Sequence, residues 1–164
     1  MCLIGLALDA HPRFPLVIAA NRDEFFDRPA APLDWWRTSP NTPWLLGGRD
    51  LSAGGTWMAL SEQGRIGMLT NVRDPSRHRP NAPSRGALVL ASLQAPERID
   101  QWIDRHAHRT PAFNGFNLLA GDIMPTGRDA AGSLHYYSNR LDVPAQPLAP
   151  GVYGLSNAFL DTPW

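Results

Sequence analysis

The sequence predicts an α+β domain with a largely antiparallel β-sheet. Three observations carry this. Short apolar runs of strand length, separated by turn residues, occupy both ends of the chain; a helical middle lies between residues 85 and 108; and no glycine-rich phosphate motif of the kind that opens a doubly wound parallel sheet is present.

The elements follow in order. Cys2 to Leu8 and Leu16 to Ala20 are apolar runs joined through the turn-like segment 9–15, which reads as a hairpin of buried strands. From Arg28 to Gly55 the chain is crowded with Pro, Gly, Asp and Ser and carries Trp35, Trp36 and Trp44 without periodicity, so a long surface excursion is expected. Thr56 to Ser61 and Arg65 to Thr70 flank the turn 62–64 as a second hairpin. Ser84 stands at a helix N-cap position before Arg85 to Leu93. A second helix is expected from Pro96, with Ile99, Trp102, Ile103 and His106 on one face, ending before Pro111. Phe116 to Ala120, Ser133 to Tyr137 and Val152 to Ser156 are three further strands.

At 164 residues with 43% hydrophobic and 18% charged side chains, residues 1–164 read as a single globular domain. The formal net charge is zero, which removes nucleic acid and stable membrane insertion from the expected partners. All basic residues are Arg; without Lys there is no P-loop lysine, Schiff-base lysine or Ser-Lys dyad. The single cysteine, Cys2, forms no internal disulfide and is too little for a thiolate zinc site. With no apolar leader in the first residues, a cytoplasmic protein is expected. The five histidines show no metal-ligand spacing and are expected at the surface or at helix ends.

Cys2 is the first candidate for chemistry. Removal of Met1 leaves a thiol and a free α-amine on one residue, so nucleophile and base arrive together. The amine titrates near roughly 7.7 to 8.0 and a free thiol near roughly 8.5, so amine is available at neutral pH to take the thiol proton. Against this stands the plain alternative of a small apolar residue on a buried strand. Asn21-Arg22-Asp23-Glu24 follows a buried strand: an Arg there can stabilise a thiolate, and an Asp can hold the new amine. Asn71 and Asn157 each end a strand, where amide donors suit an oxyanion hole, although asparagine also terminates strands for purely local reasons.

These residues resemble a known family. Met1-Cys2, Ala20-Asn21-Arg22-Asp23-Glu24-Phe25 with Arg28-Pro29 after it, Gly54-Gly55-Thr56-Trp57, Leu69-Thr70-Asn71, Ser84-Arg85-Gly86, Asn114-Gly115-Phe116-Asn117, the segment 153–158 and Thr162-Pro163-Trp164 are similar, in order, to the NRDE family, also called the transport and Golgi organisation 2 family. The resemblance covers essentially the whole chain. It implies an N-terminal-nucleophile hydrolase-like αββα sandwich, and a family domain that continues past Trp164, so the sandwich is expected to be incomplete at its C-terminus. It also implies catalytic roles for Cys2, Arg22, Asp23, Asn71 and Asn157, which are similar to positions of the cholylglycine hydrolase branch. One departure is that Arg22 and Asp23 are adjacent here, and neighbours on a regular strand point to opposite faces.

Two functions are therefore expected. One is an amidohydrolase acting through Cys2 on a carbon-nitrogen bond other than a peptide bond, with a small-molecule substrate and no cofactor. The other is a non-catalytic binding or trafficking protein for haem or lipid-like acyl molecules. Trp35, Trp36, Trp44 and Trp57 offer it aromatic area, although packing on the domain itself is the commoner use of such residues.

Overall fold

The structure is a computed structural model that describes residues 2–123 and 133–163; Met1 and Trp164 of the motifs lie outside the described residues. The fold is mixed α and β, mostly sheet, with two α-helices. The strands are β1 (Leu3–His11), β2 (Phe14–Asn21), β3 (Ala30–Trp36), β4 (Leu45–Asp50), β5 (Met58–Ser61), β6 (Arg65–Asn71), β7 (Phe116–Asp122), β8 (Ser133–Ser138), β9 (Gln146–Pro147) and β10 (Gly151–Leu155); the helices are α1 (Gly86–Leu93) and α2 (Ile99–His106). They form two antiparallel sheets, one of three strands in the order β10-β1-β2 and one of seven running β3 to β9 in sequence order.

The period-2 alternation of a strand decides which layer each side chain enters. On β6, β7 and β8, Ile66, Met68, Leu119, Leu134 and Tyr136 face the small sheet and meet Ile4, Leu6 and Leu155 there. Leu69, Phe116, Leu118, Ala120 and Tyr137 face the other way, into a second core with Val89, Leu93, Ile99, Trp102 and Ile103 of the helices. The seven-stranded sheet is therefore covered on both faces, which is why its central strands read as continuous apolar runs. Arg65 ties the layers together: it pairs with Asp122 on the neighbouring strand at 2.7 and 3.1 Å and donates to the carbonyls of Ser92 and Ala95 at the end of α1.

Several sequence expectations change. The segment 28–55 is not an irregular excursion: β3 and β4 pair as a ribbon that extends the large sheet at its edge, and Trp36 packs into the helix-side core with its indole N–H on the carbonyl of Gly47 at 2.9 Å. The α2 helix starts at Ile99 rather than Pro96, and a 3₁₀ segment carries the chain from Ala107 through Pro111 to Ala112. The Ser84 side chain makes no cap; Arg85 occupies the N-cap position of α1. His135 is buried on β8 rather than lying at the surface, its Nδ1 without a partner among the described residues, and burial lowers its pKa.

Candidate active site

Antiparallel pairing places the site. Leu3 at the start of β1 pairs with Asn21 at the end of β2, and Ile4 pairs with Leu155 at the end of β10. Cys2 therefore emerges beside residues 22–24 on one side and Ser156-Asn157 on the other. Asn71 ends β6 of the facing sheet, and Asn157 spans the gap, its Nδ2 donating to the Asn71 carbonyl at 2.8 Å.

Cys2 is almost fully enclosed, at 9% exposure. Its carbonyl accepts the Ser156 hydroxyl at 2.8 Å, which pins the backbone, and its thiol points to the carbonyl of Asp23 at 3.9 Å. Burial pushes the thiol pKa up, opposed by the positive charges of the chain terminus, Arg22 and Arg85. Arg22 is held by Glu24 at 3.1 Å, and Glu24 also lies 3.8 Å from Arg28. Arg28 in turn grips Asp50 Oδ2 through Nε and Nη2 at 3.0 and 2.7 Å. The other Asp50 oxygen accepts the amides of Ser52 and Ala53, so a chain of alternating charges fixes one wall of the site.

Around Cys2 opens a cleft of two lobes. One, of about 420 Å³, is bounded by Arg22, Arg28, Asp50 and Thr56; the other, of about 650 Å³, by Val72, Arg73, His78 and Asn157. Cys2, Asp23, Asn71, Arg85 and Asn114 line both. All five residues singled out in the sequence thus border one cleft. Because β2 ends at Asn21, strand alternation does not constrain Arg22 against Asp23, and both reach it.

Sequence reasoning gave no role to Arg85, Asn114, Arg28 or Asp50, although the first three stand in or beside the family motifs. Asn114 holds the proline-rich segment over the cleft like a strand partner, accepting from the Arg79 amide at 2.8 Å and donating to the Arg79 carbonyl at 2.9 Å. Gly55 and Gly86 abut backbone to backbone: a Cβ on Gly55 would lie 2.7 Å from the Gly86 carbonyl carbon. That contact brings the Gly-Gly-Thr-Trp and Ser-Arg-Gly motifs together and sets Arg85 at the cleft. Among the described residues, no group of three or more His, Cys, Asp or Glu side chains is placed to hold a metal, and no helix is long and apolar enough to cross a membrane.

Known proteins match this chain along its length. The family profile "Transport and Golgi organisation 2" matches residues 1–164. The mouse (Mus musculus) protein "Transport and Golgi organization 2 homolog" is 38% identical over 171 residues, covering 100% of this chain and 59% of the relative. The human (Homo sapiens) "Transport and Golgi organization protein 2 homolog" is 36% identical with the same coverage, and the Drosophila melanogaster "Transport and Golgi organization protein 2" is 34% identical over 79% of this chain and 49% of its own. The chain spans about three-fifths of the length of these mammalian relatives, 59% in both. On the whole-length profile match and the mammalian identities, this chain belongs to the transport and Golgi organisation 2 family.

Proposed function

We propose that this chain is the nucleophile-bearing part of an N-terminal-nucleophile amidohydrolase of αββα type, cleaving a non-peptide carbon-nitrogen bond through Cys2. The observation that supports it is the convergence on one cleft of Cys2, Arg22, Asp23, Asn71 and Asn157 from the ends of four different strands. After loss of Met1 the α-amine of Cys2 takes the thiol proton, and the thiolate attacks the amide carbonyl. The oxyanion that forms is received by the side-chain amides of Asn71 and Asn157. Asn157 is suited to this because one N–H, spent on the Asn71 carbonyl, fixes the plane of the amide and leaves the second N–H free to donate. The amine returns its proton to the leaving nitrogen as the C–N bond breaks, and water hydrolyses the resulting thioester. Arg22 stabilises the thiolate and Asp23 orients the amine. A reducing compartment such as the cytoplasm keeps the thiol available.

A second reading, binding without turnover, is supported by the larger lobe. Cys2 and His78 line it together, and both are residue types that ligate haem iron, with Arg73 and Arg85 as cations for its carboxylates. When bound there, haem would supply its own redox and ligand chemistry; this chain would hold it.

Intact mass separates processed from unprocessed protein, and alkylation against pH then tests the nucleophile. With Met1 attached, the buried thiol should titrate above the ordinary thiol value; once Met1 is removed, below roughly 8.5. Cys2→Ala should abolish amide turnover with the fold intact. Haem absorbance changes that persist in Cys2→Ala but vanish in His78→Ala, with no amide turned over by processed wild type, would replace the hydrolase by the binding reading.

A further inference from the structure

Arg85 differs from the other cations that line the smaller lobe beside Cys2. Arg22 is spent on Glu24 and Arg28 on Asp50, and Arg49, which forms no ion pair among the described residues, lies over the Trp36 ring at 5.1 Å and lines the smaller lobe alone. Arg85 is half-buried, donates one hydrogen bond, from Nη1 to the Gly115 carbonyl at 2.9 Å, and pairs with no carboxylate among the described residues. Removing a guanidinium from water is costly, and the charges of Glu24 and Cys2 oppose that cost only at a distance, with no ion pair formed. It is also held firmly. Its neighbour Gly86 lies against Gly55 and Thr56 so closely that a Cβ would come within 3.0 Å of the Thr56 carbonyl oxygen, and its one hydrogen bond anchors it to the strand-leading loop at Gly115.

Position completes the case. Arg85 is the one cation, among the described residues, that lines both lobes, and it lies near enough to Cys2 for each charge to shift the titration of the other. The guanidinium offers a planar fork matched to a carboxylate. We propose that Arg85 is a substrate-recognition residue, and that the ligand of this cleft is a small molecule bearing a carboxylate close to the carbonyl attacked by Cys2. The proposal deepens the amidohydrolase reading by naming a substrate class: amides with an anionic substituent next to the scissile bond.

Alkylation of Cys2 by iodoacetate and by iodoacetamide tests it without requiring turnover. The two reagents react at the same carbon, forming the S–C bond as iodide leaves, and differ in carrying a carboxylate or a neutral amide. The ratio of their rates, each divided by the rate with free cysteine, reads anion recognition separately from thiolate content. In wild type that ratio should favour iodoacetate; Arg85→Met should lower it roughly tenfold, the effect of losing one charge-assisted hydrogen bond. Arg85→Lys, which keeps the charge and loses the fork, should fall between and keeps the test readable should the Met variant fail to fold. Equal slowing of both reagents in either Arg85 variant overturns the proposal, since it marks a role on the thiol alone. An equal fall of the ratio in Arg22→Met overturns it as well, since it marks a diffuse positive field. A ratio that collapses only on Arg85 substitution, in a protein that turns over no amide, keeps the anion site and removes the hydrolase.

Discussion

Asn117 gives the sharpest test of how the two sheets are joined. It is fully buried on the side of β7 that faces the small sheet, where an apolar residue would be the default. Its Nδ2 donates to the carbonyl of Ala158 at 2.7 Å and to Thr70 Oγ1 at 3.1 Å, and its Oδ1 accepts the Tyr136 hydroxyl at 2.9 Å. Tyr136 in turn accepts the Leu160 amide at 3.3 Å. Asn117→Leu keeps the heavy-atom shape of the side chain but removes the acceptor of the Tyr136 hydroxyl proton, while Tyr136 still accepts the Leu160 amide; the other lost partner, the Ala158 carbonyl, belongs to an exposed residue. At about 1–3 kcal/mol for the one buried group left without its acceptor, less the gain from an apolar side chain, the loss should be about 2 kcal/mol. For a chain of this size that is a fall of roughly 4–8 °C in melting temperature. Urea and thermal denaturation followed by circular dichroism measure it. In a double-mutant cycle, Tyr136→Phe should cost much less once Asn117 is gone, with a coupling of about 1 kcal/mol or more. A single-variant loss below about 1 kcal/mol, or strict additivity in the cycle, would refute the claim that this network carries the junction.

Two further outcomes are expected. Burial tends to raise the Asp50 carboxyl, but its hydrogen bonds from Arg28 and from the Ala53 and Ser52 amides prevail and hold it below the usual range. The stabilisation is thus present above the unfolded carboxylate pKa of about 3.9 and is lost as pH falls through the lower folded value; Asp50→Asn should cost roughly 1 kcal/mol at pH 7, given the partial exposure of the pair, and progressively less as the pH is taken below about 3.9, as compared by urea melts. Gly86→Ala sets two effects against each other. Helix propensity favours Ala by about 1 kcal/mol, whereas a Cβ 3.0 Å from the Thr56 carbonyl oxygen costs about 1–3 kcal/mol of overpacking, so the variant should be less stable; a gain in melting temperature would show that the two motifs can part without strain.

Where one physical signal dominates, the sequence was readable. The central strands β6, β7 and β8 are apolar on both faces, and both hairpins carry turn residues, with Gly64 at φ 82° in the second. β3 and β4 were not legible, because an edge ribbon buries little: Leu33 and Trp35 remain exposed, and no period-2 burial marks the strand. His135 was misplaced because a lone histidine carries no periodic signal; only the alternation of β8 shows that it faces the helices. At the site, Asn71 and Asn157 were found as strand terminators, a property visible locally. Arg85 was not, because its significance is the lack of a carboxylate partner, which is a fact of three-dimensional arrangement.

The cleft is held together mainly through main-chain groups, and this links the dispersed motifs to the chemistry proposed. Ser156 binds the carbonyl of Cys2, Asn157 the carbonyl of Asn71, Asn114 both backbone groups of Arg79, and Arg85 the carbonyl of Gly115. The Arg73 amide closes the set on the carbonyl of Asn157 at 2.9 Å. Each side chain from one motif thus fixes the backbone of another, so the order of the motifs along the chain is free while their spatial relation is not. Main-chain groups are present whatever residue occupies the position, so such a frame survives substitution at the acceptor and fails on loss of the donor. The side chains spent on it are then unable to meet a ligand, and those left over are the Cys2 thiol, the second Asn157 N–H and most of the Arg85 fork, the groups to which the proposed chemistry gives the roles of nucleophile, oxyanion donor and anion receptor. A frame that is rigid before the ligand arrives needs no reorganisation as charge develops, which is the condition under which fixed donors lower a barrier most.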